Sequence, residues 1–499
     1  MIGGGAVSSP LKTVWQQGRI YGIGNILNRF AGLLLIPILL HTMSTDAWGA
    51  YALIVVIGQV LLTAPVAFVA SMVRLYFEGG ETGGDKVIST TLAIYLLIAA
   101  VIAIVAYPLA QAIGWAIFGH QDYFDALLIA NVALIFEILF DIEMGYYRLR
   151  KAANLYVGAT LARSLIQFGL CILFAIGLDM GVTGLLLGHL LSVCVLAVPI
   201  GIWMVTQTGW TVSREVMREL LRFGLPLLPS NLAKTLLDLV GRAALNILAS
   251  TSAVGIFSLA AKLAEQIHLV LGGPFENIWT VQLAEVASQQ ERAREVNRVL
   301  VYLMLLVMVA VLALALYAPE VVMLLSAREF WGAIALLPLL AFGYVARIFY
   351  VHFETCVIQS KRTGVLPLIN WVTVGFAVAT CYLLIPPFGL MGAAAADVLA
   401  RAFRVLLTAW AAVRLSEYGR RFPWGPVTAL VASALISYLL ADALIGREVT
   451  LLAFVLKGGV VLLYAGLAFV SPILSDDERQ RLARSLTGWL AQARGGRAS

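Results

Sequence analysis

Four polar or charged side chains recur at helical spacing within an apolar stretch of the chain. They are Asn231, Lys234, Asp238 and Arg242, each three or four residues from the next. On an α-helix this spacing places them on one face, about two turns deep in a segment that otherwise reads as a membrane span. A cation there must bind an anion or face water, because a charge near the bilayer centre costs at least about 2.5–3.5 kcal/mol.

Cations outnumber acids inside the predicted spans. The cations are Arg29, Arg163, Lys234, Arg242, Lys262, Arg347, Arg401, Arg404 and Lys457. The deep acids are Glu137, Asp141, Asp238, Glu265 and Asp397. The balance predicts a net positive interior, reduced to the extent that Arg163 and Lys457 extend their long side chains to a membrane interface.

Some of these cations have an acid at helical spacing on their own span. The pairs are Asp238 with Lys234 and Arg242, Asp397 with Arg401, and Glu265 with Lys262. For these groups, ion pairs that hold helices together and a binding site for substrate both remain open. Arg29, Arg347 and Arg404 have no such acid, and they predict a central cationic cavity. A guanidinium group suits bidentate binding of phosphate.

Neutral and acidic groups complete the predicted cavity. Asn25, Asn28 and Asn231 offer hydrogen bonds that suit sugar hydroxyls. Glu137, Asp141 and Asp238 are candidates for binding a coupling H⁺ or Na⁺. No other cofactor is expected. The cysteines predict packing roles rather than a metal site, because all four fall in apolar runs without metal-ligand spacing.

The composition is that of a polytopic membrane protein. The chain is 61% hydrophobic and 12% charged, with a mean hydropathy of +0.92. The fold class predicted is all-α, with fourteen transmembrane helices. The predicted spans lie near residues 19–41, 47–73, 88–113, 124–147, 155–178, 182–206, 222–249, 253–280, 298–318, 332–359, 364–385, 389–413, 425–445 and 449–471.

The distribution of lysine and arginine predicts the orientation. With a cytoplasmic N-terminus, the inside segments hold 23 of these residues, and the outside loops hold only Arg328 and Arg447. Both termini are therefore predicted to be cytoplasmic. The net charge of +6 reflects this loop asymmetry and does not indicate a nucleic-acid partner.

Two stretches of the chain repeat each other. Residues 43–53 read MSTDAWGAYAL and residues 249–259 read ASTSAVGIFSL, with Ser, Thr, Ala, Gly and Leu in register. The repeat predicts a duplicated six-helix bundle. The predicted domains are an N-terminal bundle at 1–210, a C-terminal bundle at 211–418, two additional transmembrane helices at 419–474 and a cytoplasmic amphipathic tail at 475–499.

Helix breakers fall at matching places in the two copies. Pro65 is predicted to interrupt the second span, and Gly272 to Pro274 its repeat partner, the eighth. Pro226 precedes the charged part of the seventh span. Interrupted spans at equivalent positions predict hinges along a substrate path, although a harmless kink is the alternative for any single proline.

The sequence resembles a known family, the polysaccharide transporters of the multidrug/oligosaccharidyl-lipid/polysaccharide (MOP) exporter superfamily. The stretches that carry the resemblance are Arg222–Pro226, Asp238 with Arg242, Val254–Ser258, Trp48–Tyr51 and Arg74–Phe77. The resemblance covers about residues 1–415. It implies two six-helix bundles around a central cavity and alternating access. It also implies cavity roles for Arg29, Lys234, Asp238, Arg242, Lys262, Arg347, Arg401 and Arg404.

The function that this resemblance implies is that of a flippase. It would move a prenyl-pyrophosphate-linked oligosaccharide from the inner to the outer leaflet of the bacterial cytoplasmic membrane. Membrane lipids are expected partners, and a polysaccharide polymerase is a candidate partner. The alternatives are a lipid II flippase and a multidrug antiporter, whose commonly cationic substrates fit a positive interior poorly. An enzyme is disfavoured because no outside loop is large enough for a catalytic site.

Overall fold

The structure is a computed structural model that describes residues 34–78, 80–273, 276 and 290–470. All regular structure in these residues is helical, which confirms the predicted all-α class. Arg29, Asn25, Asn28, Pro274 and the predicted tail lie outside the described residues. The helices are α1 (34–42), α2 (Thr45–Glu78), α3 (Gly80–Ile113), α4 (Phe124–Leu149), α5 (Ala153–Ile172), α6 (Gly181–Thr208), α7 (Arg214–Gly224), α8 (Leu228–Leu248), α9 (Thr251–Ile267), α10 (Gln290–Leu316), α11 (Ala318–Leu325), α12 (Ala333–Gln359), α13 (Val365–Leu415), α14 (Trp424–Ile445) and α15 (Leu451–Val470).

The described helices account for the fourteen predicted spans. Ten helices in this part of the chain are long and apolar enough to cross a membrane. One of them, α13, has 51 residues and turns at Gly389, where φ is 54° and ψ is −126°, so it supplies two spans. Two more helices of spanning length, α4 and α8, carry ionisable residues within them. The remaining span ends in α1.

The described chain forms two units. The first comprises residues up to Ser258 with Leu324–Trp331 and Asn370–Ala396, and the second comprises Leu259–Met323, Gly332–Ile369 and the chain from Asp397. The predicted domain boundaries follow the sequence repeat rather than this division, and they stay predictions.

In the first unit, α6 packs closely against α5 and α4. Gly184 and Gly188 of α6 face the main chain of α5 and its continuation. A Cβ atom added at Gly184 would lie 2.6 Å from the carbonyl carbon of Phe174, and one at Gly188 would lie 2.8 Å from the amide nitrogen of Cys171. Small residues four apart allow helices to approach in this way within a membrane. This contact fixes the rotation of α6 and therefore the direction of its polar side chains.

The two copies of the repeated motif contact each other at the start of α2 and α9. The Thr45 Oγ1 and Ser252 Oγ atoms are 2.7 Å apart and share a hydrogen bond. A Cβ atom at Gly49 would lie 2.0 Å from the carbonyl oxygen of Thr251, and one at Gly255 would lie 2.0 Å from the carbonyl oxygen of Thr45. The glycines that the repeat aligns are therefore the residues that let the two helices cross.

In the second unit, an ion pair fastens the last helix to α11. The Lys457 Nζ atom donates to Glu320 Oε1 at 2.6 Å, and the lysine side chain is 2% exposed. The Tyr317 hydroxyl donates to the carbonyl oxygen of Phe454 at 2.7 Å. The acid comes from a distant part of the chain and follows the predicted span 298–318, so the possible extension of Lys457 to an interface stays a prediction.

The structure modifies the predicted helix breaks. Pro65 does not interrupt its span: it lies buried inside α2, which continues from Thr45 to Glu78. Pro226 lies in a 3₁₀ turn, Leu225–Leu227, between α7 and α8. Gly272 closes a π-helical turn that begins at His268. The hinge roles of Pro65, Pro226, Gly272 and Pro274 stay predictions.

The crossing of α2 and α9 predicts a difference between two glycines of the same helix. Gly49→Ala should lower the free energy of unfolding by about 1–3 kcal/mol, because the new methyl group overlaps a main-chain oxygen. Gly58→Ala is the control, since its Cβ would lie 3.5 Å from a Leu134 methyl group, an ordinary contact. Thermal unfolding of the purified variants in detergent measures both. Equal stability of the two variants would contradict the close approach.

Candidate functional site

Arg242 is held between α8 and α9 in the first unit. Its Nη1 atom donates to the carbonyl oxygen of Asp238 at 2.8 Å, and its Nε atom donates to Ser258 Oγ at 3.3 Å. The guanidinium carbon lies 5.9 Å from the centroid of the Phe257 ring. Phe257 and Ser258 belong to the repeated motif, so the motif positions this cation. The side chain stays half-buried and keeps part of its surface open.

Other polar groups of α8 lie on the same face as Arg242. Asn231, Lys234 and Asp238 are all half-buried. The Thr63 hydroxyl of α2 donates to Thr235 Oγ1 at 3.2 Å, which joins the two helices beside this face. The structure therefore keeps the predicted polar face together on one helix. Its role in binding substrate stays a prediction.

Lys262 differs from its neighbours on α9. From Phe257 to Ala264 every side chain of this helix is buried except that of Lys262, which is exposed. A lysine that is exposed on an otherwise buried helix of a membrane protein faces water rather than lipid tails, because the cost of placing the charge in lipid is too high.

Two predicted cations of the second unit, Arg401 and Arg404, have partners that cover part of their side-chain surface. Arg401 binds Asp397 through both oxygens, at 2.7 Å and 3.1 Å, which confirms the predicted pair. Its guanidinium carbon lies 4.3 Å from the centroid of the Tyr344 ring. Arg404 is 8% exposed and lies 4.0 Å from the centroid of the Tyr350 ring. These two arginines therefore offer less open charge than the sequence suggests.

Arg347 also meets an acid that its own span does not supply. Its Nε atom lies 3.7 Å from Glu276 Oε1, and His268 Nε2 lies 3.2 Å from the same oxygen. The expectation of an unpaired Arg347 is wrong because Glu276 comes from another part of the chain. His268 begins the π-helical turn after α9, and such turns are frequent at functional sites.

The first unit contains a second carboxylate that meets both an arginine and a histidine. Glu137 of α4 forms an ion pair with Arg163 of α5, and its Oε1 atom lies 2.7 Å from His189 Nε2 of α6. The expectation that Arg163 extends to an interface is wrong, because this carboxylate holds it inside the bundle. Asp141 lies one turn further along α4 and is half-buried.

Sequence reasoning missed His189, because it has no acid or base at helical spacing on its own helix. A signal for it was present, since His189 directly follows the Gly184 and Gly188 pair that predicts close packing of α6.

Glu143 is a further carboxyl group on α4. Its side chain is fully buried, and among the described residues neither of its oxygens has a hydrogen-bond partner. Gly201 of α6 faces it, where an added Cβ would lie 3.0 Å from Glu143 Oε1. The described residues contain no cluster of three or more His, Cys, Asp or Glu side chains that could hold a metal ion.

Comparisons with known proteins decide the family. A family model for "Polysaccharide biosynthesis protein" matches residues 38–335, which is more than half of the chain. The chain belongs to this family. A comparison with curated proteins finds no match.

Solved structures with the same fold are membrane transporters. An inward-facing multidrug resistance MATE family transporter of the MOP superfamily has a TM-score of 0.66 and 18% identity, and the match covers 80% of this chain and 96% of that one. The lipid II flippase MurJ, in an inward closed conformation, has a TM-score of 0.71 and 14% identity over 90% and 98% of the two chains. A MOP superfamily transporter from Pyrococcus furiosus, described as having a binding pocket of reverse polarity, has a TM-score of 0.56 and 16% identity, and the match covers 82% of this chain and 97% of that one.

Family and fold together confirm the resemblance seen in the sequence. This chain is a multi-pass membrane protein of the polysaccharide biosynthesis family, and it has the fold of solved MOP superfamily transporters. At identities below 20% the solved structures show the fold, and the substrate has to be argued from this chain's own residues.

The two buried carboxyl groups of α4 predict opposite effects of the same substitution. Glu143→Met should raise the free energy of unfolding by about 1–3 kcal/mol, because it removes a buried group that has no partner. Glu137→Met should lower it by about 3–5 kcal/mol, because it leaves Arg163 buried without its carboxylate. Thermal unfolding in detergent measures both, with the exposed Glu329→Met as the control. Stabilisation by Glu137→Met would show that its ion pair contributes nothing.

Proposed function

We propose that this protein is a flippase for a prenyl-pyrophosphate-linked oligosaccharide. It moves the lipid from the inner to the outer leaflet of the bacterial cytoplasmic membrane by alternating access. Both termini are cytoplasmic in this proposal. The family match to polysaccharide biosynthesis proteins supports the class of cargo. A prenyl-linked glycan presents an anionic pyrophosphate and neutral sugars. The protein must therefore offer cations to the pyrophosphate and a hydrated, polar surface to the sugars.

The exposure of Lys262 is the observation that carries this proposal. It is a cation open to water on a helix whose other side chains, from residue 257 to residue 264, are buried. A compact ammonium group there suits a phosphate as a point charge. In the first unit, Arg242 separately offers a guanidinium that can bind two oxygens at once. A site of this kind attracts an anionic headgroup and repels the organic cations that a multidrug antiporter carries.

The polar face of α8 in the first unit offers further groups that suit the same cargo. Asn231 and Lys234 lie beside Arg242 on the same face of α8, and they suit sugar hydroxyls and phosphate respectively. In this proposal Arg29, Asn25 and Asn28 serve the same cavity. A coupling H⁺ or Na⁺ binds at Glu137, Asp141 or Asp238 and exchanges for the substrate.

Alternating access requires that the crossing of α2 and α9 can open. By the predicted orientation, the Thr45–Ser252 and Gly49–Gly255 contacts lie at the outer ends of the two helices. These ends must separate when the cavity opens outward. The contact suits a reversible closure, because it consists of one hydroxyl hydrogen bond and small residues rather than interdigitated large side chains.

Lys262 can be tested directly in proteoliposomes. Lys262→Ala should slow the flipping of a prenyl-pyrophosphate oligosaccharide at least about tenfold, since loss of an ion-assisted contact costs roughly 1.5–3 kcal/mol. Lys262→Arg should retain more of the rate because it keeps the charge. Arg420→Ala, at an exposed arginine of the loop before α14, is the control. Normal flipping by Lys262→Ala would remove this residue from the site.

The same liposomes distinguish the substrate class. They are loaded in parallel with the oligosaccharide lipid, with lipid II and with a cationic dye. Movement of the oligosaccharide lipid alone supports the proposal. Movement of lipid II would reassign the cargo to the peptidoglycan precursor while leaving the role of the cations intact. Transport of the dye alone would overturn the anionic site, and a newly formed glycan bond would identify an enzyme.

The crossing of α2 and α9 predicts that a covalent link stops transport. A Thr45→Cys/Ser252→Cys double variant should form a disulfide, because the two native hydroxyl oxygens are 2.7 Å apart. Oxidation should abolish flipping and a reductant should restore it. The two single-cysteine variants are the controls for reaction with the native cysteines. Full flipping by the cross-linked protein would show that these ends do not separate.

A further inference from the structure

A continuous chain of polar side chains crosses the three helices α4, α5 and α6. Glu137 Oε1 accepts hydrogen bonds from Arg163 and from His189 Nε2, the latter at 2.7 Å. On the other side of the imidazole ring, Gln167 Nε2 lies 3.1 Å from His189 Nδ1. The three charged or titratable side chains are 12%, 17% and 26% exposed, in the order Glu137, Arg163 and His189. The histidine is therefore the most exposed of the three.

Both ring nitrogens of His189 have hydrogen-bond partners, and these partners accommodate two protonation states. With the Gln167 amide donating to Nδ1, that nitrogen carries a lone pair, Nε2 carries the proton that it donates to Glu137, and the ring is neutral. If Nδ1 takes up a proton, a half-turn of the Gln167 amide presents its oxygen as an acceptor. Both states are fully hydrogen-bonded, and they differ by one proton and one amide rotation.

The surroundings favour a group that alternates in charge. With a neutral histidine, Glu137 and Arg163 cancel each other. With a protonated histidine, the extra positive charge lies against the Glu137 carboxylate, and Asp141 lies one turn along α4 within electrostatic range of Arg163. With Asp141 ionised, the cluster carries a net charge of −1 when the histidine is neutral and of 0 when it is protonated, so the added proton meets a nearby negative charge.

Among the described residues, Tyr95 of α3 interacts with Glu143 and with Cys194 of α6, and Tyr51 of α2 interacts with Cys171 of α5. Tyrosines and thiols are neutral groups near pH 7. Glu143 faces Gly201, twelve residues further along α6. The polar chain around His189 is thus a separate site within the first unit.

We propose that His189 is the proton-binding residue that couples flipping to the transmembrane proton gradient. Glu137 and Gln167 act as positioning residues for its two ring nitrogens. A proton from one side of the membrane binds the Nδ1 lone pair, and the same proton leaves from Nδ1 to the other side after the conformational change. This inference rests on the proposed flippase function, and it narrows the coupling ion from H⁺ or Na⁺ to H⁺.

The site can be tested without any substrate. Deuterium exchange at the imidazole C2 position, read by mass spectrometry on the protein in nanodiscs, follows each of the five histidines separately across pH 5 to 9. His189 should show a sigmoidal change of exchange rate with pH. Glu137→Gln should move its midpoint to lower pH by about one unit or more, because the carboxylate that favours the charged ring is gone.

Gln167→Glu is the complementary variant. Its carboxylate accepts from Nδ1–H, so the midpoint of His189 should move to higher pH. If Glu137 and Gln167 had a purely structural role, both substitutions would shift the pH midpoint of His189 in the same direction. Asp122→Asn, beside the exposed His120 at 3.3 Å, is the control and should leave the His189 midpoint unchanged. The absence of a titration step at His189, or equal shifts in all three variants, would overturn the proposal.

The coupling is tested by the distribution of lipid between leaflets. A pH gradient of one unit is worth about 1.4 kcal/mol per proton, so one proton per cycle predicts up to about a tenfold leaflet ratio for the wild type. His189→Gln should lose this response, while His120→Gln should keep it. A wild type that flips with no response to the gradient, or a His189→Gln variant that keeps the response, overturns the proposal alone. A wild type that flips nothing overturns the proposed function, and the exchange measurement then still decides whether His189 binds a proton.

Discussion

A charge inside a membrane span needs a partner or water, and this requirement organises the interior of the protein. Where an acid meets the cation closely, as in Arg401–Asp397 and Lys457–Glu320, the pair fastens helices together and leaves little charge for a ligand. Where the cation is exposed, as at Lys262, it can reach water. The same electrostatic cost thus separates cations that build the fold from cations that can bind an anionic headgroup.

Close packing between helices depends on small residues, because lipid tails compete equally for apolar side chains. Gly49 and Gly255 let α2 and α9 cross at their first turns, and Gly184 and Gly188 let α6 approach α5. The first contact consists of surfaces that can part without exposing large side chains. The second holds His189 against Glu137 and Gln167, so the geometry of a polar chain depends on glycines that carry no chemistry themselves.

Each unit contains a carboxylate that meets an arginine and a histidine. In the first unit Glu137 takes both partners at short distance within three regular helices. In the second, Glu276 lies 3.2 Å from His268 and 3.7 Å from Arg347, beside a π-helical turn. The tight, regular arrangement suits repeated transfer of a proton between defined partners. The looser arrangement leaves the Arg347 side chain more exposed than Arg163, as a cation that binds a ligand has to be.

Hydropathy and loop charge, read from the sequence alone, determined the all-α membrane class, the fourteen spans and the family, because these depend on local composition and on motifs such as Val254–Ser258. Sequence also found the pair Asp397 and Arg401, since helical spacing fixes which side chains meet on one helix. It did not find the partners of Arg163, Arg347 and Lys457, and it missed His189. Their partners come from other helices, and only the packing of those helices decides which charges become neighbours.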